Sequence, residues 1–459
     1  MIMAEQTIWC KHGLLPGGWR EGVCLQISAD GMIQRVGTGH LQDADTVLDG
    51  AVVPGMPNLH SHGFQRLMAG LTGVRRDGVD SFWGWRQVMY DFANRLTPPQ
   101  LADCAAWLYA EMLCAGYTSC AEFHYLHHQP GGQAYGQPAE MSLQVLAAAD
   151  DAGIGLTLLP VLYQVAGFGK DQVEAQQLRF HNTLQQYLTL LDDCQEAVNR
   201  HSLQRLGAAP HSLRAVPRAS LAALLEQLPD PDMPVHIHIA EQAAEVEDCL
   251  REYGARPLAW LLDHAPVDQR WCLVHATHIN SAELERAARS GAIAGLCPTT
   301  EADLGDGYFK AREWLAGEGQ LGIGSDSNLR VSVSEELRLL EFNERLRSGH
   351  RQLLRTPDQP CGRFLYQHAA LAGARALGQP VGQLSEGCRA DLVELDTRHP
   401  LLAARSGDEW LESFVFAGGK DMIRSVFVGG RQRVSEGRHQ QAERLRGRYL
   451  SALKALRGT

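Results

Sequence analysis

The chain has 459 residues, 45% hydrophobic and 21% charged, and its 42 Lys+Arg against 53 Asp+Glu give a formal net charge of −11. This composition excludes disordered and fibrous classes, and with no basic cluster a nucleic-acid partner is not expected. No apolar run reaches the roughly 18–20 residues that span a bilayer, and the opening MIMAEQTIWCKHG has no secretory pattern, so no membrane partner and a cytoplasmic location are expected.

Residues 1–56 alternate short apolar runs with turn signals, as at 24–27 before Ala29-Asp30-Gly31, and read as a small β region. From 57 to about 330, strand-like and helix-like text alternates. Eight short strand candidates finish near Leu59, Glu122, Leu162, Pro210, Ile239, Ala276, Cys297 and Ser325, with helical periodicity between them, as at 102–115, 219–228 and 281–290. Eight such units fit a TIM-like (β/α)8 barrel, an α/β fold of about 250 residues, better than a doubly wound sheet, which needs no count of eight. Residues 331–377 read as helix, and 390–395 and 425–430 return to β text. The expected organisation is a small β-sandwich domain built from 1–56 and 378–440, a catalytic barrel over 57–377, and a C-terminal helix over 441–459.

The 11 cysteines include no Cys-x-x-Cys pair, which argues against a disulfide framework or a zinc knuckle. Lysine occurs only at 11, 170, 310, 420 and 454. The 19 histidines are more informative, because several stand at the ends of strand candidates, where a barrel enzyme places its reactive groups. The first candidate ends in Asn58-Leu59-His60-Ser61-His62, the fifth in His236-Ile237-His238-Ile239-Ala240-Glu241, the sixth in His275-Ala276-Thr277-His278 and the eighth in Ser325-Asp326-Ser327. Two histidines in His-x-His on a strand share one side, as two ligands of one metal require. Each site alone has a plain structural alternative, a packed histidine or a helix-capping aspartate, but four together point to metal-assisted hydrolysis. His60, His62, one histidine of the fifth strand and Asp326 would supply three nitrogens and an oxygen to one divalent ion, zinc foremost, with iron or manganese also admissible. Glu241 would stand beside the metal as a proton carrier.

With these motifs the sequence resembles the amidohydrolase superfamily over essentially its whole length. The segment 382–393 (GQLSEGCRADLV) is similar to that family's returning β-sandwich. Two-metal members bridge their ions with a carboxylated lysine on strand 4, and this chain has no lysine between 170 and 310. The resemblance therefore implies the one-metal deaminase branch, with His238 as ligand, Glu241 as shuttle, and a homodimer.

Longer stretches at 54–66 (PGMPNLHSHGFQR), 81–86 (SFWGWR), 121–128 (AEFHYLHH) and 211–216 (HSLRAV) are similar to members that deiminate a small dicarboxylate amidine, the formimino derivative of an acidic amino acid. Gly63 and Asn328 depart from an alanine and from a histidine found in relatives. The implied substrate needs donors and cations, and Gln65, Arg86, Tyr125, His211 and Arg214 are such groups. For Arg86 the alternative is stacking on Trp83 or Trp85. Catalytic roles then fall to Glu241, His275 and Asp326. His236 would orient a ligand or merely pack, His124, His127 and His128 would shape the pocket mouth, and Glu301 would bind substrate or cap a turn. The rivals are a branch member acting on a nucleobase or triazine ring, and a non-catalytic metal-binding relative.

Overall fold

The sheet that opens the chain is completed by residues from its far end. In the computed structural model, which describes residues 4–72 and 82–458, the strand Thr46–Pro54 pairs antiparallel with Leu392–Leu395, with Val53 opposite Val393. Gln6–Leu15, Gly18–Ile27 and Ile33–Thr38 extend one side, and Ile423–Val428, Arg431–Ser435 and Arg438–His439 extend the other, giving eight strands in one sheet. Period-two alternation gives this sheet two apolar faces. Ile8, Cys10, Leu25, Val52, Leu392 and Phe427 form a core of their own. Their neighbours Ala51, Val53, Val393, Val426 and Val428 join the main core. The helix Asp408–Phe416 falls between the β segments read at 390–395 and 425–430, within the expected β-sandwich, and buries Trp410, Leu411, Phe414 and Val415 in that main core.

Pro54 leads almost directly into the barrel. Its eight strands are Met56–Ser61, Tyr117–His124, Gly155–Leu162, Gln204–Leu206 continued by Ala209–Pro210, Val235–Ile239, Trp271–His275, Ile293–Leu296 and Gln320–Ile323. The first four pair in parallel, as do the last four. Parallel bridges Ala208–Val235 and Ser212–His238 join the halves, and Ser61–Asp326 closes the ring. Helices follow the strands where local signals are strong. Ser281–Ser290 begins at Asn280, whose side chain accepts from Glu283 N at 2.9 Å while Glu283 accepts from Asn280 N at 2.8 Å, and it stops at Gly291, φ +81°. Pro98–Cys114 starts four residues before its apolar stripe does, since Pro98 and Pro99 fit a first helical turn after Thr97. The 331–377 text divides into Val333–Ser348 and Cys361–Leu377, broken at Gly349, φ +71°, and at Pro360. Among the described residues no helix is long and apolar enough to cross a membrane.

The closing seam is held by buried polar side chains. Asn58 Nδ2 donates to Ser325 Oγ at 2.7 Å and Asn58 Oδ1 accepts from Ser325 N at 3.1 Å. Asn328 Oδ1 accepts from Ser325 Oγ at 2.6 Å, while its amide nitrogen donates to Ser61 Oγ and to the His62 and Asp326 carbonyls at 3.0–3.2 Å. Gly324 lets the strands approach this closely: a Cβ there would stand 2.8–2.9 Å from His60 O, Cβ and N. Gly324→Ala should therefore push His60 aside, lowering stability in urea by roughly 1–3 kcal/mol and reducing bound metal per chain.

Candidate active site

Where the first, fifth and eighth strands end, four donors converge. His60 Nε2 lies 3.2 Å from His62 Nε2 and 3.1 Å from His238 Nε2, and Asp326 Oδ1 lies 3.4 and 3.3 Å from His60 and His62. The protonation of two rings follows from their partners. His62 Nδ1 donates to the Phe123 carbonyl at 2.8 Å and His238 Nδ1 to the His211 carbonyl at 3.1 Å, so their Nε2 atoms present lone pairs. Burial disfavours charge on all three rings, pushing His60 down to about 3 and His62 and His238 below the ordinary histidine value. Burial also works against the Asp326 anion, but His60, His275 and His62 outweigh it and hold the carboxylate well below its usual range. Neutral imidazoles facing an ionised carboxylate are a metal-ready set. Bonds of 2.0–2.1 Å in a tetrahedron separate ligand atoms by about 3.3 Å, close to the distances above. The residues thus fit a single divalent ion held by His60, His62, His238 and Asp326.

Beside these donors stand Glu241 and His275, both buried. Glu241 Oε1 is 3.9 Å from His275 Nε2, and Glu241 Oε2 is 3.8 Å from Arg214 Nη2. His275 Nε2 is also 3.8 Å from Asp326 Oδ2, and its Nδ1 contacts Glu301 Oε1 at 3.3 Å. Burial opposes charge on His275, yet the bond to Glu301 and the carboxylates of Glu241 and Asp326 prevail and push it up to about 10. In the metal-free site these carboxylates favour the proton-bearing form of His275. Glu241 sits at a backbone turn in which Ala240 has φ +50°. Glu245 secures that turn, its carboxylate accepting from Ala240 N and Glu241 N at 3.0 Å each.

The cavity above these groups has a volume of about 60 Å³. Arg86, Arg214, Gln65, Tyr125 and His211 line it together with Glu241, His275 and Asp326, and Tyr90, Tyr163, Trp85 and Phe180 complete the wall. Gln65 Nε2 donates to Tyr125 Oη at 2.9 Å. Larger cavities of about 520 and 780 Å³ lie on other faces and contain none of the four metal donors. A metal-ready cluster with carboxylates, a cationic donor and paired arginines can perform hydrolysis on a small charged substrate.

Residues 51–433 match the amidohydrolase family. The chain belongs to that family. Formimidoylglutamate deiminase of Pseudomonas aeruginosa is 51% identical to this amidohydrolase over 453 residues, 98% of this chain and 99% of that relative. A crystal structure of an amidohydrolase from Brucella melitensis is 44% identical with a TM-score of 0.93, covering 98% of this chain and 99% of its own. A zinc-bound adenosine deaminase from Xanthomonas campestris shares the fold, with a TM-score of 0.81 at 22% identity over 99% of this chain and 98% of its own.

Gln65, Arg86, Tyr125, His211, Arg214, Glu241 and His275 line this one pocket, and His60, His62, His238 and Asp326 form the four-donor cluster at its base. Open alternatives are decided at two other positions, and three expected histidines fall outside the pocket. His236 packs rather than orients a ligand: it shares one side of the fifth strand with His238 but lies two residues nearer the strand's start, and its Nε2 bonds the Ala376 carbonyl at 2.8 Å. His124, His127 and His128 do not line the pocket; His127 and His128 bond the Val161 and His181 carbonyls at 2.9 and 2.7 Å. Glu301 caps the helix Pro298–Leu304, accepting from Cys297 N at 2.8 Å, as well as holding His275. Arg86 lies over the Tyr90 ring at 5.2 Å, whereas Ser81 and the Trp83 side chain fall outside the described residues. Tyr90, Tyr163 and Glu245 were not anticipated, because no local spacing ties them to the strand-end motifs.

The buried histidines set a pH dependence. Burial pushes His60 and His124 down to about 3 and His236 and His368 to about 4. Between pH 4 and 6.5 these and the other depressed buried histidines bind more protons in the unfolded chain, and they outnumber the raised carboxyls such as Glu122 and Asp306 that act the other way. Stability of the metal-free protein should rise with pH across that window. His275, raised to about 10, should reverse the slope between about 6.5 and 10. Urea midpoints from pH 4.5 to 9.5 should therefore peak near neutrality.

Proposed function

We propose that this amidohydrolase hydrolyses N-formimino-L-glutamate to N-formyl-L-glutamate and ammonia, a step of histidine degradation. The observation that carries the reading is 51% identity, over nearly the full length of both chains, to a formimidoylglutamate deiminase. The pocket supports it independently, with Arg86 and Arg214 available to a dicarboxylate and Glu241 and Asp326 to a basic amidine. A nucleobase would be better served by a stacking slot free of paired arginines.

The chain's own groups divide the work. Arg86, Arg214, Gln65, Tyr125 and His211 bind and orient the substrate, while Glu241 and Asp326 counter the charge of its protonated amidine. As water adds to the formimino carbon, Asp326 accepts one of its protons. Glu241, ionised opposite the amidine, takes the second water proton from the added hydroxyl and delivers it to the terminal nitrogen, whose bond to that carbon breaks as the carbonyl of formylglutamate forms. The proton on Asp326 follows to the departing ammonia, so that both water protons end on that nitrogen. His275, held as a donor by Glu301, hydrogen-bonds the incoming oxygen and stabilises the tetrahedral centre. A divalent cation bound by His60, His62, His238 and Asp326 supplies the Lewis acidity that makes water nucleophilic near neutral pH. Three nitrogen donors and one oxygen suit zinc, and a structure of the same fold holds it. The separate apolar core of the terminal sheet supports reading it as a β-sandwich satellite.

Ammonia release should be robust with N-formimino-L-glutamate and absent with guanine, cytosine or a triazine. Turnover of a ring in place of formiminoglutamate, or formation of glutamate and formamide, would overturn the assignment. Glu241→Gln should lower kcat by about 10³-fold, within the usual range for removing a general acid–base, and leave metal content unchanged. Metal loss in that variant would instead make Glu241 a ligand.

A further inference from the structure

Tyr90 and Tyr163 line the pocket yet have no part in the mechanism above. Both are buried, at 4% and 3% exposure, and Gln177 behind them is 1% exposed. The orientation of the Gln177 amide is determined, because its Oε1 accepts the backbone N–H of Glu174 at 2.9 Å and its NH2 group must therefore face the other way. That nitrogen stands 3.0 Å from Tyr90 Oη and 3.0 Å from Tyr163 Oη. An amide nitrogen only donates, so both of its hydrogens are committed to the two phenol oxygens. Tyr163 Oη accepts a further bond from Arg86 Nη2 at 3.3 Å. Each phenol thus receives hydrogen bonds and has its own O–H left to direct, and among the described residues no acceptor for either proton is found.

A phenol oxygen that already accepts is a stronger donor, and with its lone pairs engaged it offers little to a donor or cation. Two such hydroxyls beside Arg86 suit a group that only accepts and is negatively charged. We propose that Gln177 fixes Tyr90 and Tyr163 as hydrogen-bond donors to one carboxylate of the substrate, forming with Arg86 a carboxylate-selective subsite. Tyr90 and Tyr163 contact the ligand; Gln177 is a positioning residue. The inference rests on the dicarboxylate reading above and assigns one of the two carboxylates its place.

The test pairs variants with truncated substrates. Tyr90→Phe and Tyr163→Phe should each raise KM for N-formimino-L-glutamate about tenfold, the usual effect of losing a hydrogen bond to a charged group, with kcat nearly unchanged. Gln177→Glu keeps the Glu174 cap but draws the phenol protons away from the pocket, and should raise KM similarly. N-formimino-4-aminobutyrate and N-formimino-2-aminobutyrate each lack one carboxylate. With one of them the Tyr163→Phe penalty should fall below about threefold while persisting with the other. Equal penalties on all three substrates, or a fall in kcat alone, would mean general loosening of the wall and overturn the subsite. Glutarate binding, read by calorimetry, separates this from the assigned reaction. If wild type turns over no formiminoglutamate, glutarate bound about tenfold more weakly by Tyr163→Phe still upholds the subsite, and unchanged glutarate affinity rejects it.

Discussion

The reacting end of the pocket depends on one seam, where the first barrel strand meets the eighth. Ser325 N and Asp326 N both bond His60 O, at 3.1 and 3.0 Å, and His62 N bonds Asp326 O at 3.0 Å. Metal donors far apart in the chain are thereby backbone neighbours. The ligand set is a property of barrel closure, which in turn relies on buried amides and hydroxyls whose partners are almost all at the same seam. Glu122 ties the second strand to it, accepting from Ser61 Oγ, Gly63 N and Tyr109 Oη. Burial pushes that carboxyl up to about 7 against those bonds, so its neighbours are what favour the anion. Gly63 belongs to this arrangement: a Cβ there would come within 3.0 Å of Glu122.

Strain at the strand ends is matched by side-chain clamps. Ala240, His275, Ala276, Asp326 and Asn328 all have φ between +41° and +65°, a region that costs a non-glycine residue about 1–3 kcal/mol. These positions flank or coincide with Glu241, His275 and Asp326. Three of the five are held by a partner: Glu245 holds the 240–241 turn, Glu301 holds His275, and Asn328 holds the Asp326 carbonyl. Reactive side chains so fixed need little reorganisation when charge develops on the substrate, which is where such sites derive most of their effect.

The strand ends are legible in the sequence because a buried parallel strand is a short apolar run, and a polar residue closing it stands out. Hence His60, His62, a histidine of the fifth strand, His275 and Asp326 can be found without a structure, and the eight strands end within a few residues of where the text places them. The helix Ser281–Ser290 is legible for the same local reason, its cap and its terminating glycine both being written in the chain. What stays hidden depends on direction or on distant partners. His236 and His238 share one side of the strand and differ only in position along it, and only the packed helix at Ala376 shows that the first is structural. Gln177, on a short turn far from any motif, cannot be linked to Tyr90 and Tyr163 by spacing. The helix Asp408–Phe416, lying between the β segments at 390–395 and 425–430, is not read as a helix until the core it fills is known.

The net charge of −11 gives a misleading impression of what the pocket accepts. Glu241, Glu245, Glu301, Asp306 and Asp326 crowd the metal end, all buried. Asp306 is pushed up to about 7 by burial and then by Glu241, a measure of how much negative charge gathers there. That charge is useful to a divalent ion and a protonated amidine, and it would repel the carboxylates of the same substrate. Arg86 and Arg214 offset it locally, Arg214 lying 3.8 Å from Glu241 with burial opposing its charge and Glu241 and Glu245 favouring it. In a dry pocket such fields act over a few ångströms with far less screening than at the surface. A substrate cationic at one end and anionic at the other is thus aligned by the pocket before any contact is specific, and reversing it would bring like charges together at both ends.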